Sequence, residues 1–461
     1  MQELTQIVGK ASDFVWNTVL LYVLVATGIL FTVRLGFIQV RKFGAGWREM
    51  FGGFSLSGKK ADKDGMSSFQ AAATSIAAQV GTGNIVGCST AILAGGPGAI
   101  FWMWLAAFFG MATIYAEAVL AQKFKTRGPD GQVIGGPVYY IKAAFKGKFG
   151  KYMAGFFSVA IILALGFMGN MVQANSISSS FETAFHVPKL IVGVILAAIG
   201  AFIFLGGVQR IASVTEKLVP IMAIFYLVGG LIVIGFHIKA IPEAFRMIFV
   251  GAFTPRAILG GAVGITIKQA MRYGVARGLF SNEAGMGSTP HAHAMAKVKR
   301  PQDQGHIAIV CVFIDTFVVL TLTAMVVLTS GVVNTGDISL SPGATGLAQA
   351  AFSTVFGKAG GMFVAVCLLF FAFSTIIGWY FFGEQNVKYL FGMKAVKVYA
   401  LIVVACIVVG STLKVDLVWN LADFFNGLMA LPNLLALIAL SGLVVRITRG
   451  EDDRLPGAGR E

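Results

Sequence analysis

Residues 79–87, QVGTGNIVG, place polar groups and three glycines in a segment that is otherwise apolar enough to cross a membrane. Glycine costs a helix interior about 1 kcal/mol relative to alanine, and it tolerates dihedral angles that let the chain unwind. Unwinding frees backbone N–H and C=O groups, which need partners at membrane depth. Free N–H groups at the start of a half-helix suit a carboxylate. Free carbonyls, such as those of Ala77 and Val80, suit a hard cation such as sodium.

A structural explanation of the same glycines is close helix packing, since Gly83 and Gly87 have the small-xxx-small spacing of packed membrane helices. Close packing alone gives no reason for the polar residues Gln79, Thr82 and Asn84. The stretch therefore favours a binding site at a break in the helix.

Two further stretches offer polar groups to the same site. In FSTIIGWYFFGEQN (373–386), Ser374 and Thr375 carry hydroxyl oxygens, and Trp379 lies one helical turn beyond Thr375 on the same face. The alternative is that both hydroxyls bond to carbonyls of their own helix. In GFMGNMVQAN (166–175), Phe167 and Asn170 lie about one turn apart, where a pocket wall and polar contacts between helices fit equally well.

Ionisable residues in apolar segments are the remaining candidates, because charge inside a membrane is costly and usually functional. Most of these residues lie near predicted span ends, where ion pairs or snorkelling explain them. They are Glu117, Glu216, Lys268, Arg272, Asp315, Glu384 and Asp423. His291 and His293 lack a carboxylate or cysteine at a metal-site spacing, so we expect a loop or interfacial position and no metal site.

The composition identifies the elements that must position these residues. Of 461 residues, 56% are hydrophobic and only 12% charged, where soluble domains have about a quarter charged. The pattern predicts an all-α polytopic membrane protein of about eleven helices, because long apolar runs exclude the alternating strands of a β-barrel. The predicted spans are 14–40, 68–94, 98–124, 150–184, 188–206, 211–237, 257–278, 303–331, 359–390, 395–412 and 415–447. Pro432 leaves the division of the last span open.

The charge distribution predicts the orientation. The net charge is +15, and the Lys- and Arg-rich loops fall on one side if the N-terminus is outside and the C-terminus inside. The segment 237–256 is a mild exception to this one-sided distribution of Lys and Arg. This cytoplasmic bias explains the charge without nucleic acid, for which no reading motif is present. The expected location is the cytoplasmic membrane of a prokaryote.

A second glycine cluster, LGGAVGIT at 259–266, lies five spans after the first. Because five is odd, a duplicated five-helix unit inserts its second copy upside down, and paired interrupted helices in inverted halves indicate a secondary transporter. We therefore predict an extra N-terminal helix in 1–40, a first five-helix repeat in 68–237, an inverted second repeat in 257–447 and a cytoplasmic tail in 448–461.

Enzyme activity is not expected, because no nucleophile–base set, phosphate loop or cofactor fingerprint is present. An ion channel would need a continuous polar pore face, which the sequence does not present. A membrane sensor is disfavoured because the tail after residue 447 is too short for a signalling domain.

Four long motifs resemble those of the alanine or glycine:cation symporter family, and they follow the family's order from about residue 68 to 447. They are GGPGAIFWMWLAAFFG (95–110), GNMVQANSI (169–177), RYGVARGLFSNEAGMGSTPHAHA (272–294) and STIIGWYFFGE (374–384). The resemblance implies a sodium-coupled importer of small neutral amino acids with a five-plus-five, leucine-transporter-like core. Proton coupling remains the alternative. The implied partners are alanine or glycine, sodium and the lipid bilayer, and we expect a functional monomer.

The resemblance also assigns roles to the residues of the site. The amides of Thr82 and Gly83 would hold the substrate carboxylate. The carbonyls of Ala77 and Val80, with Ser374 and Thr375, would hold sodium, and Asn84 would serve a second ion or brace the unwound segment. The substrate pocket would be completed by Gln79, Phe167, Asn170, Gly264, Ile265, Thr266, Thr375 and Trp379. Gln79 departs from the smaller polar residue expected in relatives, which leaves the choice between alanine and glycine open.

Overall fold

The computed structural model describes residues 2–52, 65–128, 131–254, 266–334, 338–413, 416–452 and 454–455, and these residues are mainly helical. The helices of the first half are α1 (Gln2–Phe14), α2 (Leu21–Arg34), α3 (Ile38–Arg41), α4 (Phe43–Phe51), α5 (Ser68–Gln79), α6 (Cys88–Gly95), α7 (Ala99–Lys123), α8 (Pro137–Ala144), α9 (Gly147–Ile161), α10 (Asn170–Phe185), α11 (Lys189–Phe204), α12 (Gly207–Phe236) and α13 (Ile241–Phe253). Those of the second half are α14 (Ile267–Asn282), α15 (Pro290–Met295), α16 (Pro301–Val312), α17 (Thr321–Thr329), α18 (Ala344–Phe356), α19 (Lys358–Phe391), α20 (Ala395–Thr412), α21 (Asp416–Ala439) and α22 (Ser441–Arg449).

Short π-helical segments join several of these helices, at Val15–Leu20, Gly83–Gly87, Ile162–Gly169 and Phe313–Leu320. Two 3₁₀ turns cover Ile238–Ala240 and Ile338–Leu340. The strands β1 (Thr126–Arg127) and β2 (Val133–Ile134) form an antiparallel pair in which Thr126 faces Ile134.

Among the described residues, eight helices are long and apolar enough to cross a membrane, and the bent pair α5–α6 makes a ninth. The shorter helices α11 and α14 occupy two further predicted positions. The all-α polytopic architecture is therefore confirmed. Pro432 lies inside a continuous α21, and a separate short helix, α22, begins only at Ser441.

The first interrupted helix breaks at the stretch with which the sequence analysis began. A capping box between Ser67 and Gln70 starts α5, which ends at Gln79 because Val80 has an extended backbone (φ −79°, ψ 91°). The helix resumes at Gly83 with a bend of 47° between the two halves. The predicted break in this span is confirmed.

The second interrupted helix continues past residue 278, the predicted end of its span, before it breaks. α14 ends at Asn282, and Glu283 follows with a left-handed backbone (φ 58°). Gly285 (φ 85°) and Gly287 (φ 81°) also have positive φ, a region that glycine enters without steric cost. The chain becomes helical again at Pro290, in α15.

A residue just before the first interrupted helix pairs with the residue after the second. Met66, just before α5, accepts a hydrogen bond from Lys297 N (3.0 Å) and donates one to Met295 O (2.9 Å). The resulting parallel bridge pairs Met66 with Ala296. Around this pair, α7 packs against both α14 and α16, while α10 packs against α19 and α20.

Candidate functional site

Five oxygen atoms converge where α5 ends and α19 passes it. Thr375 Oγ1 lies 3.1 Å from Ala77 O and 3.4 Å from Val80 O. Ser374 Oγ lies 3.2 Å from Ala77 O. Phe371 O joins them, 2.8 Å from Ser374 Oγ and 3.0 Å from Thr375 Oγ1. The structure thus brings together the four predicted cation ligands. Both hydroxyls also donate to Phe371 O of their own helix, which is the alternative that the sequence left open.

The absence of a side chain at two glycines permits this approach. A Cβ added at Gly81 would lie 2.3 Å from Thr375 Oγ1, and one added at Gly378 would lie 2.8 Å from the Cβ of Ala78. All five oxygen-bearing residues are in buried positions. A buried oxygen cage of carbonyls and hydroxyls at an unwound helix is suited to an alkali cation.

Asn84 connects the break to a buried acid. Its side-chain oxygen accepts from Gly81 N (2.9 Å), and its amide donates to Asp315 Oδ1 (2.7 Å). Asp315 also accepts from Ser281 Oγ (3.0 Å) and Thr316 Oγ1 (2.8 Å). Asn84 therefore braces the unwound segment against the neighbouring α14 and the π-helical segment after α16.

Gln79 makes a second connection between the two interrupted helices. Its amide donates to Asn282 O (2.7 Å), the last residue of α14. The departure noted in the sequence thus has a structural role, because Gln79 ties the end of one half-helix to the end of the other.

Three buried polar atoms of predicted site residues have no hydrogen-bond partner among the described residues. They are Gln79 Oε1, Thr82 Oγ1 and Asn170 Oδ1. A buried polar atom without a partner costs about 1–3 kcal/mol. Gln79 and Thr82 lie at the helix break and Asn170 on the neighbouring helix, so these three atoms are candidates to bind a polar ligand.

Gln173 was missed by the sequence analysis, although it lies in the quoted stretch 166–175. Its side-chain oxygen accepts from the amide of Thr82 (3.2 Å). This is one of the amides predicted to hold a carboxylate, so Gln173 occupies that hydrogen bond in this conformation. The signal was its place one turn after Asn170, on the same helix face.

Trp379 closes the space beside the break. Its ring packs on Gly169, where an added Cβ would lie 2.6 Å from the ring. Its indole N–H donates to Glu283, the left-handed residue after α14, and its ring contacts Phe280 edge-on at 5.9 Å. Trp379 therefore links α19 to the second break.

Phe167 and Asn170 lie on the neighbouring helix. The Phe167 ring is half-buried and contacts Tyr399 at 5.8 Å. Asn170 donates to Gly166 O (3.0 Å) within its own helix. Asn170 directly follows Gly169, on which the Trp379 ring packs.

Of the predicted contribution of 264–266, the structure describes only Thr266, which is not brought to this site. Gly264 and Ile265 lie outside the described residues. Thr266 is exposed and caps the start of α14, accepting from Gln269 N (3.2 Å). The residues of this helix that reach the first break are Ser281 and Asn282.

Glu117 holds the second break in its unwound form. Its two carboxylate oxygens accept from Gly285 N and Gly287 N, each at 2.9 Å. Asn433 donates to the same carboxylate (2.7 Å) and to Gly285 O (2.9 Å). Backbone groups freed by unwinding thus find side-chain partners, as burial requires.

The expected loop or interfacial position of the two histidines is wrong, because both are buried in α15. His293 contacts Ser75 Oγ through Nε2 (3.3 Å) and Gln304 through Nδ1 (2.8 Å). His291 contacts the Asn386 side-chain nitrogen through Nε2 (2.9 Å). Their polar partners are protein groups, including Ser288 O, which lies 2.7 Å from His291 Nδ1. Sequence spacing could not indicate most of these partners.

Most of the other ionisable candidates have local partners. Glu384 pairs with Lys388 (2.6 Å) and Asp423 with Arg277 (2.9 Å). Glu216 accepts from Gln70 (3.0 Å). These contacts are consistent with ion pairs and hydrogen bonds that stabilise the fold.

Comparison with known proteins decides the family. The sequence pattern of the sodium:alanine symporter family matches residues 1–454. The chain belongs to this family. The resemblance carried by the four motifs is therefore confirmed.

Relatives at similar identity are named for different substrates. The chain is 40% identical over 452 residues to the sodium/alanine symporter AgcS of Methanococcus maripaludis, covering 97% of each chain. It is 42% identical over 446 residues to the probable sodium/glutamine symporter GlnT of Bacillus subtilis, covering 96% of this chain and 90% of that one. An uncharacterized transporter of Haemophilus influenzae is also 42% identical, over 451 residues, with 97% and 96% covered.

Solved structures identify the fold. The crystal structure of MhsT in complex with L-phenylalanine aligns with a TM-score of 0.59 at 14% identity, covering 85% of this chain and all of that one. This likeness confirms the leucine-transporter-like fold class of this symporter.

Proposed function

We propose that this symporter imports alanine, glycine or both, together with sodium, by alternating access. The observation that carries the proposal is the cage of five oxygens at the first break. A carbonyl cluster at an unwound membrane helix binds a coupling cation in transporters built from interrupted helices. The relatives named for sodium and alanine or glutamine support the same class of substrate and ion.

Sodium would lie among Ala77 O, Val80 O, Phe371 O, Ser374 Oγ and Thr375 Oγ1. In the structure, the two hydroxyls donate to Ala77 O. A bound cation exchanges these hydrogen bonds for ion–oxygen contacts and fixes the end of α5 against α19. Because α5 carries the substrate site, sodium raises substrate affinity, and by linkage the substrate raises sodium affinity by the same factor.

The substrate would lie beside this cage, at the unpartnered polar atoms of Gln79, Thr82 and Asn170. Its carboxylate would take the amides of Thr82 and Gly83, displacing Gln173 from the first of them. Trp379 and Phe167 wall the space, and their rings exclude large side chains.

Proton coupling is a second candidate, favoured by one specific observation. Asp315 is a buried carboxylate that accepts from Asn84 and Ser281 and has no cationic partner among the described residues. Binding or release of a proton at Asp315 would change its hydrogen bonds to Asn84. Because Asn84 also bonds to Gly81, this change would affect the first break.

The protein is proposed to work as a monomer in the cytoplasmic membrane of a prokaryote. Its N-terminus would be outside and its C-terminus inside, with repeats in 68–237 and 257–447 related by inversion. In this orientation, the start of α14 is outer and the Met66–Ala296 bridge is inner.

Uptake into proteoliposomes tests the proposal. We expect alanine or glycine uptake that needs an inward sodium gradient and stops when choline replaces sodium. Uptake driven by a proton gradient in choline would support the second candidate. Uptake indifferent to both ions would refute the coupling, and conductance far above transporter turnover would indicate a channel. A panel of small L- and D-amino acids then fixes the substrate.

A further inference from the structure

Three side chains of metal-ligating type meet where α4 packs on α16, away from both helix breaks. Glu49 comes from α4, and Asp303 and His306 come from the first two turns of α16. One ligand atom of each lies within 4.8 Å of the other two. Within the described part of the chain, no other three His, Cys, Asp or Glu residues converge in this way. We call these three residues the α4–α16 cluster.

The packing of the two helices fixes the three side chains of the cluster. A Cβ added at Gly46 would lie 2.2 Å from His306 O, so the glycine lets the two backbones touch. Glu49 lies about one turn after Gly46, and Asp303 lies about one turn before His306, so each pair shares a helix face. The His306 ring stacks on Tyr115 at 5.7 Å. The cluster is therefore held in place before any ligand binds.

The spacing of the donor atoms matches a tetrahedral metal site. Zinc lies about 2.0–2.2 Å from histidine nitrogens and carboxylate oxygens, which places two ligand atoms of one tetrahedral ion about 3.3–3.6 Å apart. His306 Nδ1 lies 3.2 and 3.4 Å from the two oxygens of Glu49. A hydrogen bond between these residues explains that distance equally well, so the third donor, Asp303, is what indicates a metal ion. Two carboxylates and a neutral imidazole also offset the double positive charge of such an ion.

A cavity beside the α4–α16 cluster has room for the remaining ligands of an ion. Its volume is about 270 Å³, and Glu49 and Asp303 line it together with Ser68, the first residue of α5. A zinc ion with three protein ligands keeps water in its fourth position. Arg300 pairs with Asp303 (2.8 Å), but its own side chain is 55% exposed. It can therefore leave the carboxylate to the ion and stay solvated.

We propose that Glu49, Asp303 and His306 bind a first-row divalent metal ion such as zinc. The ion replaces the hydrogen bond between Glu49 and His306 and links α4 directly to α16. It also lies against the start of α5, because the cavity includes Ser68, whose hydroxyl donates to Lys297 O (3.3 Å). Bound zinc therefore restrains α5 and slows uptake. Only this last effect rests on the proposed transport.

Calorimetry with zinc chloride tests the site on the full chain, purified without a histidine tag. We expect a single zinc site, and a higher unfolding temperature in zinc because only the folded protein binds the ion. Loss of a group that merely supports a metal ligand costs about 10–100-fold in affinity. Glu49→Gln and His306→Gln remove a ligand itself, so each should weaken zinc binding at least about tenfold. Glu243→Gln, which removes an exposed carboxylate paired with Arg246, is the matched control and should bind zinc like the wild type.

Two further variants keep the result independent of any loss of folding. Glu49→His replaces the carboxylate by another zinc ligand and should retain the binding that Glu49→Gln loses. Lys299→Gln removes an exposed cation from the cavity lining, so it should tighten zinc binding about twofold, and less in high salt. Absence of zinc binding by the wild type, or equal zinc affinities in the wild type and Glu49→Gln, would overturn the site.

Alanine uptake into proteoliposomes tests the effect on α5. Zinc should lower Vmax several-fold in the wild type and leave the Vmax of Glu49→Gln unchanged. Zinc binding without any loss of uptake would overturn the restraint on α5 while the metal site stands. Absence of alanine uptake in zinc-free buffer would overturn the proposed function, and with it the inhibition, whereas calorimetry would still decide the metal site.

Discussion

Gly81 and Thr375 approach so closely that a Cβ on the glycine would lie 2.3 Å from the threonine hydroxyl oxygen. Gly81→Ala should therefore push α19 away from the cation cage. We expect sodium affinity in uptake to fall at least about tenfold, with a loss of roughly 1–3 kcal/mol in stability from overpacking. The half-saturating sodium concentration and thermal unfolding in detergent measure the two effects.

Gly155→Ala is the matched control, because Gly155 lies in α9 and an added Cβ meets nothing within 4 Å. It should leave sodium affinity unchanged and stabilise the helix slightly. Equal sodium affinities in the two alanine variants would show that the cage does not bind the coupling ion.

Thr375→Val removes one oxygen of the cage and keeps the shape of the side chain. Loss of one ligand, worth about 1–3 kcal/mol when the remaining partners stay buried, should raise the half-saturating sodium concentration about tenfold or more. Thr375→Ser keeps the hydroxyl and should remain near the wild type. Unchanged sodium affinity in Thr375→Val would remove this residue from the site.

Asp315→Asn separates ion binding at the cage from the function of the buried acid. Asn84 and Ser281 lose a charged acceptor, whose hydrogen bonds are worth about 1.5–3 kcal/mol each. Uptake should fall about tenfold or more while the half-saturating sodium concentration changes little, since Asp315 is not in the cage. Uptake measured from pH 5.5 to pH 8.5 distinguishes sodium coupling from proton coupling. A pH dependence that disappears in this variant, with uptake persisting in choline, would favour proton coupling.

Glu117→Gln should destabilise the second break. The carboxylate accepts from Gly285 N and Gly287 N with separate oxygens, and an amide replaces one acceptor by a donor facing an N–H group. We expect a loss of about 2–3 kcal/mol, read as a lower unfolding temperature. Glu182→Gln, at an exposed acid paired with Lys189 (3.3 Å), should have little effect. Similar unfolding temperatures for both variants would contradict this function of Glu117.

We expect the stability of the folded protein to depend on pH through Lys125. It lies beyond α7 and donates to Ala296 O (3.0 Å) and Gln122 Oε1 (2.7 Å), and burial lowers the pKa of Lys125 to about 8. Between this value and its ordinary pKa of 10.5, the unfolded chain binds the proton that the folded protein has released. Stability therefore rises with pH across this window. The unfolding temperature of the wild type should rise relative to Lys125→Gln between pH 7.5 and 9.5, and a constant difference would refute the assignment.

The first break was predictable because its residues are local. QVGTGNIVG combines glycines, which permit unwinding, with Asn84, whose side chain caps Gly81 three residues away. The hydroxyls of α19 were predictable for a different reason, since adjacent Ser374 and Thr375 match a motif. Neither pattern predicts the distance between α5 and α19, which Gly81 and Gly378 set because they have no side chain at the contact.

The second break could not be placed from glycine content alone. The sequence offers glycines at 259–266 and again at Gly285 and Gly287. What holds the chain unwound at Gly285 and Gly287 is Glu117, from a helix about 170 residues earlier in the chain. Of the cluster at 259–266, only Thr266 is among the described residues. Sequence spacing does not show which carboxylate reaches which freed amide. The same limit explains why Gln173 was missed and Gln79 could not be interpreted.

The parallel bridge at Met66 and Ala296 has a mechanical consequence. It joins the start of α5 to the end of α15 through two peptide hydrogen bonds. Any motion of α5 must therefore either carry α15 with it or break both bonds. The two interrupted helices are coupled through these bonds, so a ligand held at either break would act on both.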